Sequence, residues 1–256
     1  MNQEERYVHI LEFLDEHNTM SLQQICELFG VSRDTARRDI VHLSSKGLVS
    51  RTHGGIAVPS LYRKLRDYES RSKEKSEVKL QIGEQAAKLI EDDDLIFMDI
   101  STTVHAMTQF MNELNVQVVT NSIDIANTLT HSVKPEVHLL GGTVNKISRH
   151  VFGYSTLSKI SDYQFNKVFI GAAGITSKGI YYGNEEEIEF KRELVKHAGQ
   201  TFLLIDHTKH NLLHKFRALD LKAVDHIITN RSLPLEIVQR LDADVQVMVI
   251  GEHDYD

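Results

Sequence analysis

The sequence predicts an α/β protein, with an N-terminal winged helix-turn-helix followed by a Rossmann-like domain built on a parallel sheet. Near the N-terminus, two short amphipathic segments of helical spacing meet at a glycine, and two short strands follow. From residue 76 onward, short and wholly apolar strands alternate with helices, which is typical of parallel sheets covered on both faces. We expect domains at residues 1–58 and 76–256, joined by a charged linker at 59–75.

The predicted turn lies between two capped helices, preceded by an amphipathic first helix. Ser21 can cap the second helix with Gln24 as the return partner of a capping box, and Gly30 stands where a glycine commonly ends a helix. Ser32 can cap the third helix. The inward stripe of that helix is Ala36, Ile40 and Leu43. This order of elements predicts a helix-turn-helix.

The third helix is cationic on its outward side, and a wing follows it. A helix of this kind fits the major groove of DNA, where its first residues meet base edges and phosphates. Residues 48–58 read as two short strands joined at Gly54-Gly55. The residues predicted to contact DNA are Ser32, Arg33, Thr35, Arg37, Arg38, Arg51 and His53. The alternative is a protein-interaction module with a solvated charged face; the agreement between motif and wing favours DNA.

Charge and composition agree with a local nucleic-acid site. The chain of 256 residues has a formal net charge of −7, yet residues 32–66 hold eight basic residues against two acidic ones. Cys26 is the only cysteine, which excludes an intrachain disulfide. Neither a secretory signal nor an apolar run long enough to span a bilayer is present in the sequence, so we expect no membrane association and a cytoplasmic location.

The second domain is predicted to carry seven strands. They are Leu95–Met98, Val116–Thr120, Val137–Leu140, Val168–Ile170, Phe202–Ile205, His226–Ile228 and Val245–Ile250. Sheets of this class bind ligands outside the carboxyl ends of their strands. Polar or glycine residues follow the first five strands, so we expect a shared cleft at that edge.

The strand ends supply candidate ligand contacts. The hydroxyls of Ser101, Thr102 and Thr103 suit a phosphate at the start of a helix, although ordinary N-capping explains them equally well. Lys209 could reach an anion, and Asp99 and Asp206 suit sugar hydroxyls. The remaining candidates are Asn121, Ser122, Gly141, Gly142 and Gly171, and the glycine pairs could also be plain turns.

Two further clusters invite functional interpretations. The helix predicted at residues 184–198 holds Glu187 and Lys191, whose spacing allows a water-facing ion pair, with a role in the cleft as the minority interpretation. His207, His210 and His214 lie close in sequence, but their spacing fits no common zinc motif. We therefore predict neither a metal nor a cofactor. The sequence also lacks the nucleophile elbow, the Walker loop and the Gly-x-Gly-x-x-Gly motif.

The chain resembles the DeoR family of bacterial transcriptional regulators. At the N-terminus the resemblance rests on Arg6, Ile10, Leu14, Ser32, residues 35–40 and residues 51–55. In the second domain it rests on residues 99–103, 119–122, 140–142, 169–175, 187–191 and 206–209. It implies a domain similar to sugar-phosphate isomerases that binds a phosphorylated sugar as effector without converting it, and it brings Glu187 and Lys191 into the site. This chain has Ser101 where the family usually has glycine, and a serine tolerates positive φ poorly, so we expect the loop to bind phosphate differently or more weakly.

The expected function is that of a sequence-specific DNA-binding regulator, most simply a repressor of a carbohydrate operon, and not an enzyme. Its partners would be double-stranded operator DNA, a phosphorylated sugar and further copies of itself, as a dimer or tetramer. The alternative is a sugar-phosphate isomerase or deaminase with an accessory DNA-binding module, in which Asp99 or Glu187 acts as a base. A third possibility is a metal-sensing regulator that uses the histidines.

Overall fold

The computed structural model describes residues 2–17, 19–52, 54–57 and 77–251. The chain divides into two compact units, residues 1–71 and 72–256. The linker predicted at 59–75 lies outside the described residues, as do His53 and Val58 of the predicted wing.

The first unit is a winged helix-turn-helix, as predicted. Its helices are α1 (Gln3–His17), α2 (Leu22–Phe29) and α3 (Arg33–Ser45), and its strands are β1 (Thr19–Ser21), β2 (Ser50–Thr52) and β3 (Gly55–Ala57). Ser21 forms the predicted capping box with Gln24, and Gly30 ends α2 in the left-handed conformation. The strand β1 was not predicted, and it makes the sheet three-stranded in the order β1-β3-β2.

A buried ion pair crosses the core of this unit. Ala36, Ile40 and Leu43 of α3 are buried together with apolar residues of α1, α2, β1 and β3, as the stripe predicted. Within this apolar setting, Arg6 Nε and Nη2 donate to the two carboxylate oxygens of Asp39 at 2.6 and 3.1 Å. Asp39 is fully buried. The bidentate pair fixes α1 against α3, and it follows that Asp39 offsets none of the surface charge of α3.

The second unit is an α/β domain around a seven-stranded parallel sheet. The sheet strands in chain order are β4 (Leu95–Met98), β5 (Gln117–Thr120), β6 (Glu136–Leu139), β9 (Phe165–Ile170), β12 (Ala198–Leu204), β14 (His226–Thr229) and β15 (Gln246–Val249). The helices are α4 (Glu77–Ala87), α5 (Thr102–Ala106), α6 (Ile123–Leu129), α7 (Tyr154–Ile160), α8 (Glu186–Lys196) and α9 (Leu235–Val238). All seven predicted strands are confirmed, with ends shifted by at most four residues.

The second unit also contains smaller β-elements outside the large sheet, which were not predicted from the sequence. A hairpin pairs β7 (Thr143–Asn145) with β8 (His150–Phe152). A second, antiparallel sheet has the order β10 (Gly174–Thr176), β11 (Gly179–Tyr182) and β13 (Phe216–Leu219). These strands have three or four residues each, too few for a clear alternation of polar and apolar side chains.

Both faces of the large sheet are covered. Along β4, Phe97 belongs to one apolar cluster, while Ile96 and Met98 belong to the cluster on the opposite face. The strand order is β15-β14-β12-β9-β4-β5-β6, so chain progression reverses between β4 and β9. In open parallel sheets the crevice at such a reversal is the usual ligand site.

The buried pair of the first unit generates a stability prediction. Asp39→Ala leaves the Arg6 guanidinium buried without its partner, so the free energy of unfolding should fall by about 3–5 kcal/mol. Urea unfolding followed by circular dichroism measures the change, which suits a chain without tryptophan.

Asp34→Ala is the matched control, because Asp34 lies on the same helix with its side chain 79% exposed. It should cost less than about 1 kcal/mol. The double variant Arg6→Met/Asp39→Leu should recover most of the loss. Equal effects of Asp39→Ala and Asp34→Ala would refute the role of the pair.

Candidate functional site

The outward side of α3 is a cationic surface. Arg33, Arg37 and Arg38 are all exposed, as predicted. Ser32 caps the helix by accepting from the Thr35 amide at 3.2 Å, and the two hydroxyls lie 3.0 Å apart. Within the part of the chain that the structure describes, Arg37 has one ion pair, with Asp34, at a long 3.8 Å between exposed side chains. Pairs of this kind contribute little, so the guanidinium can exchange its partner for a phosphate.

The wing differs from the prediction in its turn. Gly55 already belongs to β3, where it pairs with Thr52 of β2, so the connection between the two wing strands includes Gly54, as predicted, but not Gly55. A Cβ on Gly55 would lie 2.2 Å from the Met20 carbonyl oxygen, which explains the glycine by close strand packing. Arg51 is exposed on β2, as the DNA interpretation requires, whereas His53 lies outside the described residues.

The second unit has a cavity of about 290 Å³ beside α8. Its lining comes from the β4 end, the β5 end, the hairpin strand β8, α7 and α8. The lining residues are Ile100, Asn121, His150, Val151, Phe152, Gly153, Tyr154, Leu157, Glu186, Glu187, Glu189, Phe190 and Lys191. Of the residues predicted from sequence, the cavity therefore brings together Asn121, Glu187 and Lys191.

Behind the cavity lies a buried ion pair between Asp99 and Lys191. Both residues are 1% exposed. The Lys191 ammonium donates to Asp99 Oδ1, while Asp99 Oδ2 accepts from the Gly171 amide at 3.3 Å. The prediction of a water-facing ion pair between Glu187 and Lys191 is therefore wrong. Asp99 instead ties the ends of β4 and β9 to α8, and it reaches the cavity through Lys191.

Among the residues that the structure describes, two buried polar atoms of this region have no hydrogen-bond partner, namely Asn121 Oδ1 and the Tyr182 hydroxyl. The Tyr182 ring lies under the Lys191 ammonium, 5.1 Å from the nitrogen to the ring centroid. The Asn121 amide nitrogen donates to the Val151 carbonyl at 3.2 Å, which holds β8 near the end of β5. A buried acceptor without a donor is costly, and one that lines a cavity is a point where a ligand can bind.

Burial shifts the acid–base behaviour of the cavity. Desolvation raises the pKa of Glu187, and the nearby Lys191 opposes this shift in part. Desolvation also lowers the pKa of His150, against the pull of the Glu186 carboxylate 3.6 Å away. His150 is thus neutral near pH 7, because its ordinary pKa of about 6.5 is lowered further.

Ser101 does not adopt the positive φ that a glycine at this position would allow. It adopts φ −64° and caps α5 by accepting from the Thr103 and Val104 amides. The compensation lies at Gly171, where a Cβ would stand 2.2 Å from the Ser101 hydroxyl oxygen. The serine therefore fills the space beside a glycine on the neighbouring strand end. The N-capping role of Ser101 is confirmed, while its contact with phosphate stays a prediction.

The other predicted residues lie along the same edge of the sheet. Thr102 and the buried Thr103 begin α5, and the buried Ser122 caps α6. Gly141 accepts from the Thr156 hydroxyl at 2.8 Å, and Gly142 follows it with φ 153°. Asp206 caps a short 3-10 turn by accepting from Thr208, and Lys209 ends that turn. None of these seven residues lines the cavity beside α8, so their contacts with a ligand stay predictions.

Sequence reasoning missed the contribution of the hairpin and α7. His150, Phe152 and Tyr154 line the cavity from an excursion between β6 and β9. The length of that excursion was a usable signal, since 25 residues separate the two strands. The chain also carries no group of three or more His, Cys, Asp or Glu side chains poised for a metal, among the residues that the structure describes. Within the same residues, no helix is long and apolar enough to cross a membrane.

Family models match both units. A DeoR-like helix-turn-helix domain matches residues 6–61, and a DeoR C-terminal sensor domain matches residues 74–231. The chain belongs to the DeoR family. As a member of this family it is a DNA-binding transcriptional regulator, and the cavity beside α8 lies within the match to the sensor domain.

Relatives similar over the whole chain are DeoR-family regulators too. The HTH-type transcriptional repressor GlcR of Bacillus subtilis (strain 168) is 39% identical over 254 residues, covering 99% of this chain and 98% of the relative. The glycerol-3-phosphate regulon repressor of Escherichia coli (strain K12) is 29% identical, covering 94% and 96%. Among solved structures, ribose 5-phosphate isomerase A from Methanocaldococcus jannaschii shares 16% identity with a TM-score of 0.37, covering 51% of this chain and 52% of the isomerase.

The contact between Ser101 and Gly171 generates a double-mutant prediction. Gly171→Ala alone should destabilise the sensor domain by about 1–3 kcal/mol, because the methyl group overlaps the Ser101 hydroxyl. Ser101→Gly alone should cost only a few tenths of a kcal/mol, as a glycine replaces a serine cap. The double variant should be more stable than Gly171→Ala. Urea unfolding tests the cycle, and simple additivity of the two single effects would contradict the packing argument.

Proposed function

We propose that this protein is a repressor of a carbohydrate-metabolism operon that releases its operator when a phosphorylated sugar binds the sensor domain. The observation that carries the proposal is the cavity beside α8 at the carboxyl ends of β4 and β5, with the unpartnered Asn121 oxygen in its lining. The names of two relatives support it, a glycerol-3-phosphate regulon repressor and the lactose phosphotransferase system repressor of Streptococcus mutans.

The phosphate is proposed to bind at the strand ends next to the cavity. Thr102 and Thr103 offer hydroxyls and amides at the start of α5, and Lys209 offers a cation at the end of β12. Phosphate binds such helix starts and ammonium groups readily. The sugar end would occupy the cavity beside α8, so that the ligand contacts the ends of several strands.

Switching requires that the effector binds the free repressor more tightly than the DNA-bound one. Within the sensor domain, α8 is the element best placed to respond, because it lines the cavity with Glu187 and holds Asp99 through Lys191. We propose that the operator is read by a dimer or a larger oligomer, since helix-turn-helix proteins commonly read two half-sites.

Operator binding by α3 is tested with single substitutions. Arg37→Ala and Arg38→Ala should each weaken binding to DNA selected from a random-sequence pool, measured by fluorescence anisotropy across a salt series. Loss of a phosphate contact lowers the salt-dependence slope by about one unit, whereas loss of a guanine contact relaxes specificity by about 1–3 kcal/mol.

Arg240→Ala is the control for these variants, because Arg240 is an exposed arginine of the other unit. It should leave both affinity and slope unchanged. Operator affinity that survives in both α3 variants would show that α3 does not read the DNA.

The response to effector is tested by separating it from DNA binding. Thr102→Val removes a hydroxyl at the proposed phosphate site, and Lys209→Ala removes a cation. Each variant should bind operator as tightly as the unmodified protein, yet need at least tenfold more phosphorylated sugar for release. The unphosphorylated sugar is the control ligand. Release by both forms of the sugar at equal concentration would overturn the phosphate assignment.

A further inference from the structure

The cavity beside α8 presents negative charge to whatever enters it. Three carboxylates of α8 line it, those of Glu186, Glu187 and Glu189, against a single ammonium, that of Lys191. The Lys191 charge is already matched by Asp99 on its far side. A second anion placed here would therefore meet uncompensated like charge, from Glu187 in a partly desolvated setting, where repulsion is stronger than in water, and from the exposed Glu186 and Glu189.

The unpartnered oxygen of Asn121 determines which kind of hydrogen-bonding group a ligand must offer in the cavity. Because the Asn121 amide nitrogen donates to the Val151 carbonyl at 3.2 Å, exchanging the two amide atoms would set two oxygens face to face. The oxygen is therefore the atom without a partner, in a side chain only 4% exposed. It calls for a donor, which a hydroxyl supplies and a carboxylate does not.

The neighbouring side chains do not change this balance. His150 is held by the Ser148 hydroxyl at 2.9 Å from Nδ1, and burial lowers its pKa, so it adds no positive charge near pH 7. Glu186 accepts weakly from the Asn145 amide at 3.4 Å and stays about one third exposed. Its carboxylate thus keeps free acceptor capacity toward the cavity.

We infer that the group entering this cavity is a neutral, hydroxyl-bearing end of a sugar, and that a carboxylate at that end is rejected. The inference rests on the proposed function, in which the phosphate binds elsewhere along the strand ends. It narrows the effector to aldose, ketose or alditol phosphates and excludes the corresponding sugar acids. Asn121, Glu186 and Glu189 are the residues that determine this specificity.

Ligand pairs that share the phosphate end, and of which one member carries a carboxylate at the other end, provide the test. Glucose 6-phosphate is compared with 6-phosphogluconate, and ribose 5-phosphate with 5-phosphoribonate, at equal ionic strength. Thermal shift of the full chain and release of operator DNA are measured for each. In at least one pair the aldose phosphate should bind, and its acid should need at least tenfold higher concentration for the same response.

Charge-removing variants then test the cause. Glu186→Gln/Glu189→Gln keeps side-chain size while removing two charges, so it should narrow the difference between aldose phosphate and acid to less than threefold. Glu193→Gln is the matched control, because Glu193 lies on α8 outside the cavity lining. It should leave the discrimination intact. Asn121→Leu should weaken aldose phosphate binding.

The outcomes separate this inference from the proposed function. If an acid binds as well as its aldose phosphate, the specificity inference is wrong and a phosphorylated effector still stands. If the glutamine variant discriminates as strongly as the unmodified protein, the α8 carboxylates are not the cause and the inference fails. If no member of either pair binds, the proposed function fails and this inference falls with it.

Discussion

The ion pair of Asp99 with Lys191 is the interaction on which the sensor domain depends. Asp99 stands at the carboxyl end of β4, accepts from the Gly171 amide at the end of β9, and receives the ammonium of α8. Two charges are thereby removed from water, which is favourable only when the remaining hydrogen bonds are supplied. The consequence is geometric, because β4, β9 and α8 are held together at the point where the strand order reverses.

Two residues that lie one turn apart on α8 have different roles. Lys191 points its charge inward to Asp99, whereas Glu187 lines the cavity one turn earlier. On a helix these two residues share a face, so sequence spacing alone predicts that they pair with each other in water. In the structure, Lys191 pairs instead with the buried Asp99 carboxylate at the end of β4, 92 residues away along the chain. Only the folded sheet brings that competitor to the helix.

Much of the fold was predictable because its signals are local. Four-residue apolar strands such as Leu95–Met98 indicate a buried parallel sheet. The caps formed by Ser21, Gly30 and Ser32 indicate where helices begin and end. What escaped prediction was short or non-local. The strand β1 and the hairpin β7–β8 are too brief to show a period, and the fit of Ser101 against Gly171 joins residues from different strand ends. For the cavity, Asn121, Glu187 and Lys191 were predicted, while His150 and Tyr154 came from the unrecognised hairpin and α7.

In the first unit, the lock between Arg6 and Asp39 has a consequence for how binding specificity can change. On α3 the core residues and the surface arginines are different positions. Ala36, Asp39, Ile40 and Leu43 are buried, while Arg33, Arg37 and Arg38 are exposed. Because the ion pair fixes the rotation of the helix about its axis, substitutions in the exposed set leave that orientation unchanged. The exposed residues of α3 can therefore be substituted while the buried residues stay the same, and a new preference for DNA sequence requires no change in the core.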